Sequence, residues 1–262
     1  MIESLLGVLI SLALLIWSCD FAIKNSILIS HVYKIRPILV GIFIIAIGTS
    51  LPEFAATFQA LKLNSVGIVA GNLVGSNIAN ILLVGGIMLY PITRLVTDKR
   101  DKSTFLFFLI FSIVFFIFII FNFNIGYMYG VLLFGLLCFF IYFELKKPID
   151  ETNTISEITN SSSFFIILKI ILAFIALFFS SKYFIVYAKD LTSIFGVAET
   201  TIGITIVAFG TSLPEVIATI LSIVKKQNNL AIGNILGSNI ANIFGITTVS
   251  YTHLRAHETD RH

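Results

Sequence analysis

Two glutamates set what chemistry this 262-residue chain can offer. Glu53 and Glu215 each close a Gly-Thr-Ser-Leu-Pro-Glu hexapeptide, Gly48–Glu53 and Gly210–Glu215, and each falls near the middle of a long apolar run. A carboxylate at such a depth in a membrane costs about 2.5–3.5 kcal/mol to insert, so it needs a partner. No Lys or Arg lies near the centre of any other apolar run, Lys182 being the closest, so the counter-charge is an ion or a proton. The structural alternative is a pair of neutral glutamates hydrogen-bonded in a core. Around them every donor is oxygen: Thr49 and Ser50 one turn before Glu53, Thr211 and Ser212 one turn before Glu215. Hard cations such as Ca²⁺ and Na⁺ select these donors, whereas Zn²⁺ or Cu would call for His or Cys. His31, His253, His257 and His262 all lie outside the run centres, and Cys19 and Cys138 read as small core residues with no Cys-x-x-Cys spacing.

The hexapeptide does not stand alone. Gly71-Asn72-Leu73-Val74-Gly75-Ser76-Asn77-Ile78-Ala79-Asn80 recurs as Gly233-Asn234-Ile235-Leu236-Gly237-Ser238-Asn239-Ile240-Ala241-Asn242, and the same 162 positions separate the copies of both motifs. Between Val40 and Asn80, 20 of 41 ungapped pairs are identical. Ser76 and Asn80 share a helix face at i, i+4, as do Ser238 and Asn242. Asn77 and Asn239 point elsewhere and are expected to satisfy broken backbone. Gly71, Gly75, Gly233 and Gly237 form small-xxx-small patterns that let helices approach closely, a packing role. Pro52 and Pro214 lack an amide hydrogen, so carbonyls three or four residues upstream are released to act as further ligands.

The elements that carry these motifs are membrane spans. With 57% hydrophobic and 12% charged residues, and a mean hydropathy of +1.00, the composition excludes a soluble domain, a disordered chain and a disulfide scaffold. The net charge of +3 is small, with its cations in short loops, which excludes a nucleic-acid partner. Runs of about 20 apolar residues, the length of a spanning helix, occur near 3–23, 36–61, 66–92, 104–121, 125–145, 164–188, 197–224 and 229–249. The first is read as a helix rather than a cleaved signal, because Glu3 sits where a basic segment belongs. Lys24, Lys34, Arg36, Arg94, Lys99, Arg100, Lys102, Lys146, Lys147, Lys225 and Lys226 fall in alternate loops, which places those loops in the cytoplasm and Met1 on the extracellular or periplasmic side of the cell membrane. Five crossings, an odd number, separate the two hexapeptides, so the copies face opposite ways. Inverted repeats with interrupted helices meeting at the midplane are a transporter design.

Both motif pairs resemble those of the sodium/calcium exchanger family of the calcium:cation antiporter superfamily, in its prokaryotic form with a short linker. The resemblance implies an all-α polytopic membrane protein with the inverted-repeat exchanger fold, five plus five helices in the family and about eight here. It implies no enzyme activity, cofactor or obligate protein partner; Ca²⁺ and Na⁺ are substrates and the lipid bilayer is the surroundings. It further implies that Glu53 and Glu215 share Ca²⁺ with the carbonyls of Thr49 and Thr211. Ser50, Ser76, Ser212 and Ser238, with Asn80 and the carbonyls of Ala46 and Ala208, would complete the Na⁺ positions. Asn242 departs from the aspartate of many members, leaving two carboxylates in the pocket, although its amide still offers an oxygen.

The domain reading is a first repeat over 1–145, a cytoplasmic linker over 146–163, and a second repeat over 164–249 that stops three helices in. A polar tail over 250–262 falls outside the fold, so the chain is expected to be a fragment. The function implied is exchange of Na⁺ for Ca²⁺ by alternating access. A Ca²⁺/H⁺ or K⁺-coupled exchanger, a cation channel and a truncated product that inserts without transporting are the rivals.

Overall fold

The structure, a computed structural model, describes residues 1–62, 66–84, 142–146, 162–194 and 208–243, with a few isolated positions besides. Every regular element among them is helical. Two long helices, α1 (Ile2–Val32) and α6 (Ser163–Ile194), pack along one another. At 1.5 Å per residue each is roughly 46 Å long, more than the apolar thickness of a bilayer. Their outer faces expose Leu5, Leu9, Trp17, Phe165, Leu172 and Phe179, side chains that belong against lipid. The inner faces bury Leu15, Cys19 and Ile23 of α1 and Leu177 of α6, in one core with Leu213, Ala218 and Leu230.

Helix α1 runs on past the expected end at residue 23, to Val32, and several of its polar residues have local partners. Ser11 donates to the Gly7 carbonyl at 2.6 Å, Ser18 to Leu15 at 3.0 Å and Asn25 to Phe21 at 2.7 Å. Such back-bonds let a polar side chain sit in an apolar helix at small cost. Ser180 repeats the Ser18 bond, donating to Leu177 at 2.9 Å. Ser18 and Ser180 stand 162 positions apart, so the internal symmetry reaches back into α1 and α6, beyond the stretch where identities accumulate.

The second span is a broken strut. It comprises α2 (Pro37–Val40), a π-helical turn (Gly41–Ile45), α3 (Ala46–Thr49) and α4 (Leu51–Lys62), with a 45° bend at the break. Ser50 at the bend has φ −82° and ψ 3°; Ser212, its counterpart between α7 (Ala208–Thr211) and α8 (Leu213–Val224), has φ −85° and ψ 0°. Proline stands second after each break, where a missing amide hydrogen is tolerated. The backbone is bent without being severed, since Phe54 N–H still donates to the Ser50 carbonyl at 3.1 Å and Val216 N–H to Ser212 at 3.3 Å.

Helix α5 (Val66–Ala79) widens into a π turn over Asn80–Val84, and α9 (Asn228–Ala241) does the same from Asn242. Among the described residues α1 and α6 are each long and apolar enough to cross a membrane, and the bent pair 37–62 makes a third span. The runs expected near 104–121 and 125–145 lie almost wholly outside the described residues, as do the linker and the polar tail.

Among the described residues, two charged clusters tie the frame together. Arg36, at the start of the strut, is buried against Glu144, so one of the cations that orient the chain is neutralised within the protein. Asp20 on α1 meets Lys24 and Lys225, both at 2.6 Å, joining α1 to the end of α8. The second network is partly solvated, so Asp20→Asn is expected to cost less than about 1 kcal/mol. Thermal unfolding in detergent at low and high salt checks this: the small loss should shrink further as salt screens the wild-type pair.

Candidate ion-binding site

The breaks at Ser50 and Ser212 put opposite helix ends side by side. The carbonyl ends of α3 and α7 carry partial negative charge suited to a cation, while the first turns of α4 and α8 hold Glu53 and Glu215 at their positive ends. Thr49, Ser50, Glu53, Ser76, Asn80, Thr211, Ser212, Glu215, Ser238 and Asn242 are all at most 3% exposed, so whatever neutralises the carboxylates is shielded from bulk water.

The two inverted motifs meet through reciprocal bonds. Ser50 Oγ donates to Glu215 Oε1 at 2.9 Å, and Ser212 Oγ donates to Glu53 Oε1 at 3.3 Å. Each glutamate thus accepts from the serine of the other half. Its second oxygen, Oε2 in both cases, is buried without a hydrogen-bond partner, as are Asn242 Oδ1, Asn80 Oδ1 and Ser238 Oγ. A buried polar atom left unmatched costs about 1–3 kcal/mol, more when charged, so these oxygens are candidates to hold a cation. Among the described residues neither glutamate has a Lys or Arg partner, and no group of three or more His, Cys, Asp and Glu occurs.

Asn242 Nδ2 donates to Ser76 Oγ at 3.0 Å, which turns the amide so that its oxygen is the orphaned atom. The Ala46 carbonyl accepts from Ser50 N–H at 3.0 Å and from Thr49 Oγ1 at 3.2 Å. Ala208 opens α7. The Gly210 carbonyl, freed by Pro214, accepts from Ser181 Oγ of α6 at 3.2 Å. Asn239 donates to the Ile235 carbonyl of its own intact helix at 2.9 Å, and so does not serve broken backbone.

Sequence reasoning missed what surrounds the glutamates. A Cβ on Gly48 would lie 2.1 Å from the Phe174 ring, and one on Gly210 2.6 Å from Ile185, so both motif glycines seat side chains of α6. Asn72, Thr57, Asn234 and Thr219 form hydrogen bonds beside the site glutamates. Their signal was present, since Thr57 and Thr219 repeat at the 162-residue spacing.

A family-wide sequence profile described as "Sodium/calcium exchanger protein" matches residues 3–146 and 165–257, most of the chain. The chain belongs to the sodium/calcium exchanger protein family. An uncharacterized membrane protein of Methanocaldococcus jannaschii is 31% identical over 250 residues, covering 95% of this chain and 82% of its own length. The sodium/calcium exchanger MaX1 of Methanosarcina acetivorans is 29% identical over 286 residues, covering 92% and 81%. A solved structure of the sodium-calcium exchanger NCX_Mj, soaked with Na⁺ and Ca²⁺, superposes with a TM-score of 0.77 at 27% identity, covering 97% of this chain and 83% of that one. The exchanger has the all-α, polytopic fold of that family and is a membrane cation antiporter, not an enzyme. The profile match is interrupted between 146 and 165 and extends into the polar tail as far as residue 257.

Proposed function

We propose that this exchanger couples Na⁺ movement to Ca²⁺ movement by alternating access, at the site where the two bent motifs meet. The observation that carries this reading is the pair of buried glutamates, each held by the opposite half's serine and each with one oxygen lacking a partner. Two carboxylates balance one Ca²⁺ or two Na⁺. An empty site would carry two unpaired buried charges, a state several kcal/mol uphill for each ion. Loaded forms can therefore reorient while the empty form cannot, and exchange follows.

In this reading Glu53 and Glu215, with the carbonyls of Thr49 and Thr211, hold Ca²⁺. Ser50, Ser76, Ser212, Ser238, Asn80 and the carbonyls of Ala46 and Ala208 serve Na⁺, Asn242 supplying a neutral oxygen. Two repeats, 1–145 and 164–249, flank a cytoplasmic linker, and the amino terminus faces outward from the cell membrane. The alternation of cationic loops supports that orientation.

The test is ⁴⁵Ca²⁺ uptake into proteoliposomes loaded with Na⁺, compared with vesicles loaded with K⁺ or held under a proton gradient. Uptake is expected only against a Na⁺ gradient. Equal uptake in the K⁺-loaded or proton-driven vesicles would assign another coupling ion, and gradient-independent flux would indicate a channel.

A further inference from the structure

Two asparagines outside the ligand set hold the turns on which the glutamates ride. Asn72 Nδ2 donates to the Glu53 carbonyl at 3.0 Å and to Thr57 Oγ1 at 2.8 Å. Asn234 Nδ2 donates to the Glu215 carbonyl at 3.2 Å and to Thr219 Oγ1 at 3.1 Å. An amide nitrogen has two hydrogens, and both are used in each clasp. All four residues recur at the spacing of 162, so each half pins the first turn of its glutamate helix to the next helix, α4 to α5 and α8 to α9.

Asn234 does more. Its Oδ1 accepts from Thr49 Oγ1 at 3.2 Å, and Thr49 ends α3 in the opposite half. The Thr49 hydroxyl has a single proton and a second acceptor at the same 3.2 Å, the Ala46 carbonyl. When that carbonyl turns toward an ion, the proton has Asn234 to go to, so a change at the first half's break is felt at the turn of Glu215.

We propose that Asn72 and Asn234 are positioning residues of the ion site, each clamping the turn of its glutamate to the neighbouring helix, with Asn234 also setting the two halves in register through Thr49. This rests on the reading that Glu53 and Glu215 hold the transported ion. Neither asparagine is a ligand in it; they act through the glutamates.

The test measures ⁴⁵Ca²⁺ uptake against Ca²⁺ concentration for the whole chain in proteoliposomes, with the Ca²⁺-induced thermal shift in detergent as a transport-free readout. In Asn234→Ala the half-saturating Ca²⁺ concentration should rise about tenfold, the scale expected for losing buried hydrogen bonds. The maximal rate should change far less, and the thermal shift should need correspondingly more Ca²⁺. Thr219→Val and Thr49→Val, which keep shape and delete a hydroxyl, should each raise it by a smaller factor. The double variant Thr49→Val/Asn234→Ala should be no worse than Asn234→Ala alone, because the two changes break a shared bond. Unchanged half-saturation in Asn234→Ala, or effects of Thr49 and Asn234 that simply multiply, overturns the proposal. If Asn234→Ala does not accumulate as folded protein, the two valine variants decide, and wild-type half-saturation in both overturns it. Glu53→Gln separates the two readings: transport retained there removes the ion site itself, whereas transport lost there with Asn234→Ala unaffected removes only the clamp.

Discussion

Ca²⁺ uptake should fall by a hundredfold or more in Glu53→Gln and in Glu215→Gln, with insertion into the membrane and solubility in detergent unchanged. Each substitution keeps the shape of the side chain and an acceptor for the opposite serine, Ser212 or Ser50, so the scaffold loses little. What it removes is half of the negative charge in a buried site. Breaking one partner of a buried charge pair costs about 3–5 kcal/mol, which corresponds to roughly two to four orders of magnitude in affinity. The same variants should lose Na⁺-driven efflux of Ca²⁺ if, as proposed, both ions use the carboxylates. Concentration-dependent ⁴⁵Ca²⁺ uptake in both directions checks the prediction, and wild-type uptake in either single variant would remove that glutamate from the site.

The second large effect lies in packing. A Cβ at Gly233 would stand 2.2 Å from the Ile38 carbonyl oxygen and 2.9 Å from Gly41 Cα, and one at Gly237 would stand 2.5 Å from the Ile42 carbonyl oxygen. These neighbours are backbone, so no rotamer change relieves the clash; α9 must move off the strut α2–α3 by about an ångström. Overpacking of this kind costs about 1–3 kcal/mol, occasionally more, and backbone neighbours put Gly233→Ala at the upper end. The displacement also disturbs the site, because α9 carries Asn234 and the strut carries Thr49, which bond across this interface. The expected result is a lowered unfolding midpoint in detergent, with Ca²⁺ uptake reduced in what remains folded. A midpoint equal to that of the wild type would show that the interface is slacker than the structure has it.

This second case shows how far sequence carries and where it stops. The small-xxx-small spacing of Gly233 and Gly237 announces that some helix comes close, but which one is a matter of where the chain returns in space. The partner proves to be the strut 195 residues back from Gly233 at Ile38, a pairing with no local signature. Gly71 and Gly75, the matching pair, meet nothing within 4 Å among the described residues, and the stretch equivalent to the strut falls outside them. Likewise nothing local to the hexapeptides marks what their opening glycines touch, and the contact of Gly48 and Gly210 with Phe174 and Ile185 of α6 appears only once α6 is in place.

By itself the sequence determined the membrane class, the inverted repeat, the two carboxylates and the oxygen character of their neighbours. These are properties of composition and periodicity, and they persist in any arrangement that buries apolar runs and inverts the copies. The tertiary structure alone decided which serine meets which glutamate. A hydrogen bond forms across 3 Å of space, and Ser50 lies nearer in the chain to Glu53 than to Glu215, yet it is Glu215 that it holds. It decided the orientation of the Asn242 amide, since Ser76 on the other half takes the nitrogen and leaves the oxygen free. It also gave Asn72 and Asn234 their task, because a side-chain amide is neutral in a motif and becomes a clasp only when the carbonyl and the hydroxyl it must reach are brought to it.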